Sequence, residues 1–132
     1  MANQSVKKKA WMSWSTGKDS AFALWRVQQQ SHFEITGLLT TVTGDYERVY
    51  MHAVRNELLD RQAEALGLPL HKVTIPAKCS NEIYEQRMGD AIRTAASQGV
   101  THMIFGDLFL ENIRSYRIDK LAGTGIEPVF PL

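Results

Sequence analysis

The residues best equipped for chemistry are six in a row near the N-terminus, Ser15-Thr16-Gly17-Lys18-Asp19-Ser20. Small and hydroxyl side chains let backbone N–H groups come close to an anion, and a helix starting there adds partial positive charge. Ser15 and Ser20 bring hydroxyl donors, and Lys18 a full charge. Asp19 is out of place in a pure anion site, but makes sense where a divalent cation bridges it to phosphate oxygens. Two familiar nucleotide motifs are excluded. A G-x-x-x-x-G-K-[ST] loop fails at Met12 and at Asp19, and a G-x-G-x-x-G fails because Gly17 stands alone. Composition alone leaves the plainer reading open, that Ser15 and Asp19 simply cap a helix.

A second cluster, Asp107, Glu111, Arg114 and Arg117, follows spacings of 4, 3 and 3. On a helix these keep within about a third of the circumference. An ion-pair ladder on a solvated face explains that spacing as well as a site does. Gly106 lets backbone approach a ribose or adenine, and Asp107 is placed to orient a substrate or hold magnesium. The arginines suit a carboxylate or phosphate. His32, His52, His71 and His102 lie too far apart for a zinc site, and Cys79, the sole cysteine, has no His or Asp at a telling distance.

The elements that must position these groups recur as a short β-rich run followed by a helical one. Runs at 10–15, 34–42, 70–75, 102–105 and 129–130 read as strands. Stretches at 18–31, from Gly44-Asp45 to Leu66, from Ser80 or Asn81 through Ala95, and at 110–121 read as helices. Leu59, Ala63 and Leu66 recur at helical spacing, and Gly67 and Gly99 supply stops. Tyr84, Met88, Ala91, Ile92 and Ala95 form an apolar stripe that reads as core. Ala21, Leu24 and Trp25 mark the buried face of the first helix, and Trp11, Trp14 and Trp25 are expected in the core. Strands joined by crossover-length helices give parallel pairing in an open, doubly wound α/β sandwich. Ligands in such sheets bind beyond the carboxyl ends of the strands, at the switch in strand order. That rule singles out Ser15 onward, Thr40-Thr41, Pro76 onward and Gly106-Asp107.

With 132 residues, 44% of them hydrophobic and 22% charged, the chain fits one domain over residues 1–132. A net charge of +1 argues against bulk capture of nucleic acid or anionic membrane, so an anion must be held locally. No run of about 18 apolar residues spans a bilayer, and a single cysteine fits a reducing compartment, so a cytoplasmic location is expected.

Ser15-Thr16-Gly17-Lys18-Asp19-Ser20 resembles the S-G-G-x-D-S pyrophosphate loop of PP-loop ATP pyrophosphatases. The segments 54–59, 62–70, Ser80-Asn81, Tyr84-Glu85 and above all Phe105-Gly106-Asp107-Leu108-Phe109-Leu110-Glu111-Asn112-Ile113-Arg114-Ser115-Tyr116-Arg117 resemble the diphthine–ammonia ligase branch of that superfamily. The resemblance implies a Rossmann-like five-stranded sheet of order 3-2-1-4-5, with ATP across the ends of strands one, two and four. It implies ATP and Mg2+ as cofactors, with Ser15, Thr16, Gly17, Lys18, Asp19, Ser20, Thr40 and Gly106 holding them. Asp19 is the metal ligand, and Lys18, Asp19 and Asp107 are the catalytic groups. The implied reaction adenylates a carboxylate, releases pyrophosphate and lets ammonia displace AMP. The acceptor is a carboxylate of unknown identity, for instance on a translation elongation factor. A non-catalytic ATP- or AMP-sensing module is the alternative.

Two departures shape the expectation. Thr16 replaces a glycine of the family loop, a strain of roughly 1–2 kcal/mol where that position needs a positive φ. Members also continue past the segment matched by Pro128 to Leu132 into a region that shapes the acceptor site, whereas this sequence stops there. A fragment, a truncated relative, or a chain whose acceptor comes from another chain all fit, and poor turnover alone is expected. An open sheet edge makes a homodimer one expected state.

Overall fold

Alternation of β-rich and helical runs becomes, in the computed structural model, a regular βα succession; the model describes residues 7–14, 18–30, 32–44, 49–76, 80–106 and 111–131. The elements are β1 (Lys8–Ser13), α1 (Lys18–Gln30), β2 (Phe33–Gly44), α2 (Val49–Leu66), β3 (Leu70–Pro76), α3 (Asn81–Ser97), β4 (His102–Ile104), α4 (Glu111–Leu121) and β5 (Glu127–Val129). All strand pairs are parallel, in the order β3-β2-β1-β4-β5. The expected α/β topology is therefore found, strand order included. The order reverses between β1 and β4, so the connections leaving those two strands part toward opposite faces and open a crevice at their carboxyl ends.

Each face of the sheet carries its own core. Ala23, Leu24 and Val27 of α1 and Leu59 and Ala63 of α2 pack on Ala10, Met12, Leu38 and Ile104. On the other face, Ile92 and Ala95 of α3 and Leu121 of α4 pack on Trp11, Leu39, Val73 and Met103. Successive side chains of a strand point to opposite faces, which is how Trp11 and Met12 serve different layers. A bulge interrupts that rule in β2. Ala10 pairs with Ile35 and Trp11 with Gly37, leaving Thr36 as the extra residue, so that Ile35 and Leu38 both face α1 and α2.

Local signals set the helix ends. Ser80 Oγ accepts from the Ile83 N–H at 3.3 Å as the N-cap of α3. Gly67 and Gly99, at φ of 70° and 84°, end α2 and α3, and the next N–H in each case reaches back to Ala63 O or Ala95 O at 3.1 Å. At the outer edge of β3, Arg87 of α3 donates to the Thr74 carbonyl at 3.3 Å, and Lys72 pairs with Asp60 of α2 at 2.8 Å.

Trp11 and Trp14 are buried as expected, but Trp25 is 56% exposed and Ala21 is exposed as well. The buried stripe of α1 is Ala23, Leu24 and Val27, whose small and branched side chains let the helix lie close on the sheet, while Trp25 pairs with Phe22 on the solvent side at 6.0 Å. Leu66, in the last turn of α2, is also exposed, leaving Leu59 and Ala63 to carry that helix's contact. Among the described residues, no helix is long and apolar enough to cross a membrane.

Candidate functional site

The carboxyl end of β1 is tied down by two hydrogen bonds of Trp14 before the chain enters 15–17. The Trp14 N–H donates to Leu39 O of β2 at 2.7 Å, and its indole Nε1 donates to Gln62 Oε1 of α2 at 2.9 Å. Helix α1 starts at Lys18, so its free N–H groups lie directly after the first strand, where a helix terminus attracts negative charge. Asp19 is half-buried in the first turn, and Ser20, 5% exposed, is buried beside it.

Strand β4 meets that turn. A Cβ built on Gly106 would stand 3.0 Å from Asp19 O and 3.1 Å from both Asp19 C and Ser20 Cα. These are backbone atoms of a helix start, which cannot swing aside as a side-chain tip can. A side chain at 106 would therefore collide with the first turn of α1, and glycine is what lets the two backbones approach this closely. The same contact brings together the two segments that sequence reasoning singled out separately. Across the sheet, Thr40 is 4% exposed on β2, two residues after Leu38 and therefore on the α1–α2 face. The Phe105 N–H donates to Val129 O at 2.9 Å, fixing the far side of β4 to β5.

Lys18, Asp19 and Ser20 accordingly open α1, Thr40 lies in β2, and Gly106 follows two residues after β4. Ser15, Thr16, Gly17 and Asp107 lie outside the described residues. Of the arginine cluster, Glu111 and Arg114 fall on α4, and the Arg117 guanidinium stands over the Phe105 ring at 4.4 Å. His71 stacks on Trp11 with ring centroids 4.0 Å apart, and His102 lies at the start of β4 beside Phe33 and Glu127. Burial lowers both imidazole pKa values, only partly opposed at His102 by Glu127.

Among the described residues no three His, Cys, Asp or Glu side chains gather to hold a metal. Magnesium is commonly bound through one or two carboxylates together with substrate phosphates and water. Asp19, in the first turn of α1, offers one such carboxylate.

Sequence reasoning missed the cavity between α3 and α4. It encloses about 90 Å3 over Met103 and Phe105, walled by Tyr84, Met88 and Gly89 of α3 and by Tyr116 and Arg117 of α4. The stripe of Tyr84, Met88 and Ile92 reads as core in any helical pattern, and it does pack on the core. The available signal was Gly89, a glycine inside a helix.

No curated protein matches the chain. A family model described as the diphthamide synthase N-terminal domain matches residues 8–126, which takes in every element from β1 to α4 and the turn into β5. With its parallel 3-2-1-4-5 sheet and that match, the chain belongs to the diphthamide synthase N-terminal domain family, a Rossmann-like PP-loop domain of the ATP-pyrophosphatase kind.

Proposed function

We propose that the domain binds ATP with its phosphates over residues 15–20 and uses it to adenylate a carboxylate, from which ammonia then displaces AMP. The observation that carries this reading is the packing of Gly106 on the Asp19–Ser20 backbone, which joins the end of β4 to the start of α1. A crevice built that way presents helix N–H groups at the switch point of the sheet, where nucleotides bind in doubly wound folds.

The proposed chemistry balances simply. A carboxylate oxygen attacks the α-phosphorus, the bond to the bridging oxygen of the β-phosphate breaks, and pyrophosphate leaves with the charge. Ammonia then adds to the acyl carbon, loses a proton, and AMP departs, leaving an amide. Lys18 and the N–H groups of the first turn of α1 are the chain's own means of neutralising the departing pyrophosphate. Magnesium held by Asp19 would supply further charge neutralisation there. Thr40 of β2 and Ser20 of α1, both buried, orient the nucleotide, and Asp107 orients the acceptor.

Calorimetry with ATP on the wild type and on the Lys18→Ala, Ser20→Ala double variant tests the binding half. Affinity at least about ten-fold weaker in the variant is expected, since two groups that bind an anion are removed; equal affinity places the nucleotide elsewhere. Pyrophosphate release with ATP, magnesium, ammonia and a panel of carboxylates tests the chemistry. Nucleotide affinity with no release under any of these acceptors would leave a holding module in place of a ligase.

A further inference from the structure

We propose that Gln62 of α2 is a positioning residue for the start of α1, acting through the indole of Trp14. The first observation is where β1 loses its neighbours. Its ladder with β4 ends at Met12 and its ladder with β2 at Ser13, while β2 runs on to Gly44 paired with β3. Beyond Ser13 the Trp14 N–H still reaches Leu39 O at 2.7 Å. One hydrogen bond fixes a point about which the peptide can turn. The second, donated by Trp14 Nε1 to Gln62 Oε1 at 2.9 Å, acts on the ring and removes that rotation.

Burial alone does not account for the pairing. An indole N–H is only a donor, and shutting it from water without a partner costs free energy. Yet among the described residues Trp11 Nε1, in a side chain 1% exposed, has no hydrogen-bond partner. Trp11 stands in mid-strand, where the ladders to β2 and β4 already hold the chain. The indole that is paired is the one at the strand's exit. Its partner is a long side chain from another element, 48 residues further on. Ordering such a side chain costs conformational entropy that the bond must offset.

Both ends of the tie are firmly placed. Gln62 follows Leu59 and precedes Ala63, the two α2 side chains packed in the core, and Asp60 pairs with Lys72 of β3 at 2.8 Å. α2 is thereby a fixed platform. The Trp14 ring packs in the same core as Ala23 and Leu24 of α1. In sequence three residues separate Trp14 from Lys18, where α1 begins, and so short a link absorbs little of a displacement at the strand's end. A tilt of Trp14 is therefore passed on to Lys18, Asp19 and Ser20. That these residues meet phosphate rests on the nucleotide reading above; that Gln62 places them does not.

The test uses the whole chain, labelled with 15N, and two substitutions. Gln62→Leu removes the acceptor, and Trp14→Phe removes the donor while keeping a ring. Should Gln62→Leu not fold, Gln62→Met, closer in length, takes its place. Gln62→Leu should move the Trp14 indole proton upfield and shift the amide signals of Lys18, Asp19 and Ser20, with Ile92 and Ala95, packed on the opposite face, unmoved. ATP affinity should fall by about three- to ten-fold, the size of one hydrogen bond's net contribution. In the Trp14→Phe background Gln62→Leu should change neither those amides nor the affinity further, because a residue acting through the indole has nothing left to act on. A side chain that merely packs α2 would keep its effect there. Unmoved amides at Lys18, Asp19 and Ser20, or additive effects of the two substitutions, overturn the proposal whatever ATP does. Moved amides, with ATP unbound by the wild type or bound equally by the variant, keep the tie and remove the phosphates from the start of α1. ATP binding with unmoved amides keeps the nucleotide reading and removes the tie.

Discussion

Gly106→Ala is the sharpest perturbation of the site, because the added methyl group meets three backbone atoms in the first turn of α1. Carbon contacts are most favourable at about 3.5–4.0 Å, whereas the new Cβ would stand 3.0 Å from Asp19 O and 3.1 Å from Asp19 C and Ser20 Cα. Relief therefore needs a displacement of about 0.5–1 Å between β4's end and the start of α1. β4 is held by β1 on one side and by the Phe105–Val129 hydrogen bond on the other, so the first turn of α1 is what gives way. Overpacking of this kind costs about 1–3 kcal/mol. If the site aligns phosphates as proposed, a shift of that size also costs up to about 100-fold in reaction rate. Urea denaturation and ATP calorimetry on the variant read both effects. We expect a stability loss of about 1–3 kcal/mol and a fall in ATP affinity of at least about ten-fold. A variant as stable as the wild type would refute the packing argument. A destabilised variant with undiminished affinity would instead separate the first turn of α1 from the nucleotide.

Magnesium should tighten ATP more than AMP, because Asp19 offers a hard oxygen only where β- and γ-phosphates reach it; dissociation constants in magnesium and in EDTA give the comparison, and Asp19→Asn should abolish the difference. Stability should fall on acidification. His71 and His102 have folded pKa values below the ordinary 6.5, chiefly through burial, so the unfolded chain takes up these protons first. Their contribution is complete above pH 6.5, is lost as pH falls below it, and levels off once the folded imidazoles protonate. Urea midpoints at neutral and mildly acid pH check the sign, and His71→Gln should flatten the slope. Leu59→Ala, at a side chain with 0% exposure between α2 and the sheet, should cost about 2–5 kcal/mol in thermal or urea unfolding, with m-values unchanged.

Much of this fold was legible because its signals are local. Strand and helix periods alternate cleanly, Gly67 and Gly99 mark helix stops that do form, and Ser80 caps α3 through the expected hydroxyl. Parallel crossovers then leave few topologies, and the strand order matched the one that the family resemblance implied. Trp25 was misplaced because Ala21, Leu24 and Trp25 share a helical period with a competing stripe through Ala23 and Val27. Periodicity alone cannot say which stripe meets the sheet. The bulge at Thr36 left no mark in composition. The packing of Gly106 on Asp19 and Ser20 was not legible, since contact between positions 19 and 106 depends on tertiary approach, not on neighbours in sequence. The α3–α4 cavity escaped for a related reason, as the same stripe that packs the core also walls the hollow.

The guarded edge of β3 bears on how such a chain survives at cellular concentrations. An exposed strand edge is a template for adding a stranger's backbone. Here the Thr74 carbonyl is already taken by Arg87 from one layer, and Lys72 is anchored to Asp60 from the other. The opposite edge, β5, is three residues long and contains Pro128, which has no N–H to offer. Fibril growth or strand-swapped assembly would therefore have to dislodge a guanidinium and a charged lysine at one end, and would find almost no ladder at the other. Crowding is thus met with little risk of templated aggregation from the native state, and the more hazardous species is the partly unfolded one in which α3 has come away and taken Arg87 with it.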